Sequence, residues 1–143
     1  MKIALCIDSF YPCIDGPINV TSSLASIFNR TDKCSVLAPS AKSKYVDGFS
    51  YDVIRCKSIS APENYRYALP SFDYGFRKKV EEQNFDIFHA HSPFSMGRYA
   101  IKTARRLHVP MIATFHTRYY DDFLRSTGSK MMAKALTDRI VRT

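Results

Sequence analysis

Five short runs of apolar residues, at 2–8, 34–38, 51–56, 86–90 and 111–115, are continuous rather than alternating. Runs of this length and character mark strands buried on both faces of a parallel sheet. Between them, apolar positions step by three and four along the chain. Ile18, Leu24, Ile27 and Phe28 predict a helix over 18–29, and Phe72, Phe76 and Val80 one over 71–84. Ile101, Ala104 and Leu107 predict a third over 94–108, and Met132, Leu136 and Ile140 a fourth over 129–142. Pro93 stands just ahead of the third pattern, where a helix-starting proline belongs. Pro39, Pro62, Pro70 and Pro110 punctuate the connections. The segments 39–48, with Lys42, Ser43 and Lys44, and 58–70 read as surface loops. Strands alternating with helices predict right-handed βαβ units and an α/β fold: a Rossmann-like open parallel sheet with helices on both faces.

Ligands of such sheets bind beyond the carboxyl ends of the strands. That rule selects 8–17, 89–94 and 114–118; the fourth strand end, at Pro39 and Ser40, is chemically plain. Three of the four histidines, His89, His91 and His116, fall in the selected segments, and His108 ends a helix. His89 and His91 are two apart and share one face of an extended strand. His89 lies deeper in its strand and reads as a structural, hydrogen-bonded residue. His91 and His116 suit a ligand carrying hydroxyls or phosphate. Three histidines also raise zinc, but no carboxylate is placed as a general base and the H-E-x-x-H spacing is absent, so no metal is expected.

Length adds a bound: 143 residues make one domain, large enough to bury a core without staples. The five glycines are too dispersed for a G-x-G-x-x-G or a G-x-x-x-x-G-K, which removes the dinucleotide fingerprint and the P-loop. Asp15-Gly16-Pro17 before a helix offers a phosphate a single-glycine loop, but taken alone it reads better as an ordinary turn followed by an N1 proline. The four cysteines show no C-x-x-C and no zinc spacing, which fits reduced thiols in a cytosol. The first apolar run is too short for a signal peptide, and no run reaches the ~20 apolar residues of a spanning helix.

Charge is uneven. The chain carries a net +8, of which residues 76–143, with thirteen Lys/Arg against six Asp/Glu, supply +7. Arg98, Lys102, Arg105 and Arg106 fall at i, i+4, i+7 and i+8 and form one basic helical stripe. Arg118, Tyr119, Tyr120, Phe123 and Arg125 mix aromatic and cationic character. These features fit either a solvated face or an anionic membrane interface. No nucleic-acid reader motif is present, and no nucleic-acid partner is expected.

The ordered set of motifs resembles the N-terminal domain of family 4 glycosyltransferases, which are retaining enzymes of the GT-B fold. The opening Met1-Lys2-Ile3-Ala4-Leu5-Cys6-Ile7-Asp8-Ser9-Phe10-Tyr11-Pro12 with Asp15-Gly16 is similar to that family's start. Tyr65-Arg66-Tyr67-Ala68-Leu69-Pro70, Asp86 to Phe94 and Ala113 to Tyr119 match further segments in order, over essentially the whole chain. A narrower similarity points to members acting on lipid acceptors such as diacylglycerol or phosphatidylinositol.

The resemblance implies transfer of a sugar, with retention, from a nucleotide-sugar donor to an acceptor, without metal or cofactor. It implies that 1–143 is the acceptor-side domain, ending before the domain that holds most of the donor, so that alone it is inactive. It places His116 near the reacting sugar as the catalytic position and Asp15 and Gly16 at the donor diphosphate. His91, Ser92, Phe94, Thr117 and Arg118 fall in the acceptor cleft. A lipid acceptor would put the protein in the cytoplasm, peripheral on the inner membrane face, with Arg98, Lys102, Arg105, Arg106 and Arg125 toward anionic lipid. Pro17, where the family often has a small residue, removes one amide from the diphosphate loop. The rival reading is a non-catalytic basic module that binds a phosphorylated ligand or a membrane surface.

Overall fold

A computed structural model describes residues 1–42, 44–61 and 65–141. Ser43, Pro62 and residue 142 of the last predicted helix lie outside the described residues. In chain order the elements are β1 (Lys2–Cys6), α1 (Gly16–Phe28), β2 (Lys33–Pro39), β3 (Asp52–Cys56), β4 (Ser58–Ser60) and β5 (Arg66–Ala68). A single 3-10 turn at Pro70–Phe72 leads to α2 (Tyr74–Gln83), β6 (Ile87–Ala90), α3 (Ser95–Leu107) and β7 (Met111–Ala113). The chain then forms α4 (Tyr119–Thr127) and α5 (Lys130–Val141).

Five strands form one parallel sheet in the order β3-β2-β1-β6-β7. Its two faces are both covered, which is why the strands read as continuous apolar runs. Ile3, Leu5, Cys34 and Val36 pack with Ile18 and Ala25 of α1 on one face. Ala4, Cys6, Leu37 and Phe88 pack with Phe76 and Val80 of α2 and Met96, Ala100 and Ala104 of α3 on the other. None of the four cysteines, all among the described residues, is in a disulfide; Cys6, Cys34 and Cys56 are buried among these apolar side chains. Burial pushes the Cys34 and Cys56 thiols up to about 12, so they behave as small hydrophobes rather than nucleophiles.

Helix ends are held by identifiable groups. The Asp15 carboxylate caps α1 by accepting from Ile18 N at 2.8 Å. Asp73 caps α2 through Phe76 N at 3.1 Å and also accepts from Lys57 N at 2.8 Å, tying the helix to the end of the sheet. Asn84 and His108 close α2 and α3 in left-handed conformations, φ 52 and φ 54.

Two local expectations are corrected. Pro93 does not start α3: the helix begins at Ser95 with Phe94 as its cap residue. Phe94 offers no cap bond, and the carboxylate of Asp8, at the end of β1, serves instead from 88 residues away, accepting from Met96 N at 2.8 Å. The segment 58–70 is not only loop, because β4 and β5 pair in antiparallel register with Ile59 opposite Tyr67. The stretch after Arg118 is helical as well, and α4 packs against α5.

Candidate active site

The strand order reverses direction between β1 and β6, so the loops leaving their carboxyl ends diverge and open a crevice. A cavity of about 770 Å³ occupies it. Its floor comes from Ile7, Asp8 and Ser9 after β1 and from His91, Ser92, Phe94 and Ser95 after β6. The β4–β5 hairpin supplies one wall through Tyr65, Arg66 and Tyr67, and Thr117 and Tyr119 supply the opposite side.

Asp8 organises the floor. Its carboxylate accepts from Ser92 Oγ at 2.6 Å, Ser95 Oγ at 2.7 Å and Met96 N at 2.8 Å, while its own N–H donates to Ser92 Oγ at 2.9 Å. A carboxylate at the start of α3 is favoured by the helix dipole. One residue thus locks the end of β1 to the β6–α3 turn. Gly97 makes that closeness possible: a Cβ there would lie 2.0 Å from the Ser92 carbonyl oxygen.

The histidines converge. His89 Nε2 meets Thr114 Oγ1 at 2.8 Å, the structural role expected for it. Its ring lies 4.1 Å from that of His91, which stacks in turn on His116 with centroids 5.2 Å apart. His91 Nδ1 and His116 Nε2 are 2.9 Å apart. His91 is 1% exposed; burial, helped by the charges of His89 and His116, holds its pKa down to about 3. Its ring is therefore neutral at neutral pH. Among the described residues, no group of three or more His, Cys, Asp or Glu is placed to hold a metal ion.

His91, Ser92, Phe94 and Thr117 thus line the cavity together with Asp15. His116 joins them through its bond to His91. Gly16 is exposed between the lining residues Asp15 and Pro17. Arg118 stands outside the wall, with its side chain 89% exposed and its Nε 3.1 Å from Asp121. Arg98, Lys102, Arg105 and Arg106 share one side of α3, and Arg106 is engaged by Glu81 of α2 at 2.6 Å. Arg125 lies apart from them on α4.

Several contributors lay outside the predicted site residues. Tyr119 lines the cavity and packs edge-on against Phe94 and Phe115, centroids 6.0 and 5.9 Å away. Burial, with Asp8 and Asp122 adding, raises its pKa to about 12, so it stays a neutral phenol. Tyr65 bridges the hairpin to the α1 turn by donating to Asp15 at 3.4 Å. Arg55 of β3 donates to both Asp47 oxygens at 2.7 and 2.8 Å and to the Pro39 and Tyr11 carbonyls at 2.7 and 2.8 Å. It clamps the 39–48 loop to the loop after β1 and borders a second, smaller cavity of about 390 Å³ beside the first. No described helix is long and apolar enough to cross a membrane.

Comparison with known proteins agrees with this architecture. The profile of the family described as Glycosyltransferase Family 4 matches residues 20–142. An alpha-monoglucosyldiacylglycerol synthase of Streptococcus pneumoniae is 30% identical over 129 residues, covering 85% of this chain and 28% of that protein. The enzyme of the same name from Acholeplasma laidlawii is 26% identical, covering 85% of this chain and 31% of its own. A GDP-mannose-dependent alpha-mannosyltransferase of Corynebacterium glutamicum is 29% identical, covering 82% and 29%. No solved structure matches the chain significantly. The chain spans about three-tenths of the length of these curated relatives. With a parallel sheet, a crevice at its switch point and a family match over most of its length, this chain belongs to glycosyltransferase family 4.

Proposed function

We propose that these residues form the acceptor-side domain of a retaining glycosyltransferase that moves a sugar from a nucleotide-sugar donor to a lipid acceptor at a membrane surface. The observation that carries this reading is the 770 Å³ cavity at the carboxyl ends of β1 and β6, floored by Asp8, His91 and Ser92 and rimmed by Phe94, Tyr65, Tyr67 and Tyr119. Polar groups at the floor suit the hydroxyl that receives the sugar. The aromatic rim suits the apolar body attached to it.

In this reading His116 contacts the reacting sugar, and the exposed backbone at Gly16 approaches the donor diphosphate. Asp15 holds the first turn of α1 in place for that approach. Ser92, Phe94 and Thr117 contact the acceptor, and Arg118 meets it or its headgroup from outside the wall. The reaction needs no metal or cofactor from this domain. Breaking the bond to a nucleotide diphosphate develops negative charge that must be met by oriented donors. The cavity wall brings a single arginine, Arg66, and its guanidinium already holds Ser58 through two bonds. Most of that charge is therefore met by the part of the enzyme that pairs with this domain across the cleft.

Isothermal calorimetry of the 143-residue chain with nucleotide sugars is expected to show no binding tighter than about millimolar, and the chain alone no turnover. Submicromolar binding would contradict the division of labour. Sedimentation with anionic vesicles is expected to carry the chain down at low salt and release it at about 1 M salt, where charges are screened within ~3 Å. Replacing Arg98, Lys102 and Arg105 together by Gln should abolish the effect; no sedimentation at low salt would remove the membrane face.

A further inference from the structure

His91 and His116 share one hydrogen bond between two nitrogens, and only one of those nitrogens carries the proton. The rest of the His91 ring decides which. His91 Nε2 is buried and has no hydrogen-bond partner among the described residues. One side of the ring is closed by His89, 4.1 Å away, and the backbone N–H is already committed to the Cys6 carbonyl at 2.8 Å. If His116 Nε2 donated, the neutral His91 ring would carry its hydrogen on Nε2, a buried N–H with nothing to receive it. If His91 Nδ1 donates, only a lone pair is left unmet. Orphaned buried N–H groups are much the rarer of the two.

We infer that His91 is a positioning residue that donates from Nδ1 and thereby holds His116 in its Nδ1–H form. Burial keeps the His91 ring neutral, as this arrangement requires. His116 Nε2 is then occupied as an acceptor, and its remaining nitrogen, which has no partner among the described residues, carries a hydrogen. Free histidine favours the other tautomer, so the pairing imposes a choice rather than repeating one. The chemical consequence rests on the glycosyltransferase reading: His116 meets the substrates as a hydrogen-bond donor to an oxygen, not as a base that removes the acceptor's proton. The tautomer itself does not rest on that reading.

Long-range ¹⁵N–¹H correlation on the ¹⁵N-labelled chain at pH 7.5 reads both rings directly, with four histidines to assign. The expected spectrum shows His116 with a protonated Nδ1 and an unprotonated Nε2, and His91 likewise. A protonated His116 Nε2, or the averaged shifts of a ring exchanging between tautomers, overturns the inference. His91→Phe keeps the ring and removes the donor, and His116 should then move to averaged shifts. His91→Asn can place an amide N–H where Nδ1–H stood and should restore the Nδ1–H form. Retention of the fixed tautomer in His91→Phe would show that something other than His91 sets it. Should either variant fail to fold, the wild-type spectrum alone decides.

Discussion

Gly97→Ala is expected to destabilise the protein by about 3 kcal/mol and to lower its melting temperature by roughly 10 °C. Helix propensity argues the other way, since alanine in a helix interior is favoured over glycine by up to about 1 kcal/mol. Sterics decide the sign. The added Cβ would sit 2.0 Å from the Ser92 carbonyl oxygen and 3.1 Å from its carbon, both backbone atoms that no rotamer change can move. Relief requires α3 to retreat from the β6–α3 turn, and that retreat pulls Ser95 and Met96 from the Asp8 carboxylate. The damage therefore reaches the cavity floor. Gly75→Ala is the matched control, because its Cβ meets only Asp73 Oδ1 at an ordinary 3.7 Å; it should stay within about 0.5 kcal/mol of wild type. Thermal unfolding of the two variants checks the argument, and equal stability would refute it.

The second large effect is a loss of stability on mild acidification. The His91 pKa in the folded protein lies near 3, well below the ordinary value of 6.5. Between those values the unfolded chain binds a proton that the folded protein refuses, so stability rises with pH across this window and falls as pH drops. At about 1.4 kcal/mol per unit, lowering the pH from 7.5 to 5 costs roughly 2 kcal/mol from His91, and the full window at most about 4–5. His89 adds in the same direction: burial, then the His116 charge, lowers its pKa too. Asp73 also loses stability in acid. Burial raises its pKa, but bonds from Phe76 and Lys57 outweigh that and hold it low, so its contribution fades below the usual carboxylate range. The window above pH 5 therefore isolates the histidines. The melting temperature should drop by several degrees from pH 7.5 to 5, and His91→Phe should flatten most of that slope. A wild-type profile flat over that range would be inconsistent with a buried neutral His91.

The sheet was legible in the sequence because its physics is local. A strand covered on both faces must be apolar along its buried centre, and Ile3 to Ile7 and Val36 to Ala38 are wholly so, with Ile87 and Phe88 adjacent in the third. The hairpin was not, since Ser58–Ser60 and Arg66–Ala68 are three residues each, too short to show a period, with polar residues at three of the six positions. Helix α4 went unpredicted for a different reason: Tyr119, Tyr120, Phe123 and Leu124 do fall at helical spacing, but the segment read as a mixed aromatic and cationic patch, and none of its residues is fully buried.

The candidate site shows the same division. Strand ends pointed to His91, Ser92 and Thr117 through the topology rule alone. What joins them came from distant residues, such as the Asp8 carboxylate on Met96 and the His91–His116 bond. A residue-by-residue scan has no access to such pairs. Charge patterning placed four cations on one side of α3, yet Glu81, from a different helix, engages Arg106.

The central claim is that this cleft is the acceptor side of a lipid glycosyltransferase in which His116 meets the reacting sugar. The most direct measurement is sugar transfer by the full-length protein from a panel of nucleotide sugars to diacylglycerol in anionic vesicles, with product anomer read by NMR. The account predicts transfer with retained configuration, reduced about a hundredfold or more by His116→Ala. Transfer that is absent with every donor, proceeds with inversion, or is undiminished in His116→Ala would contradict it.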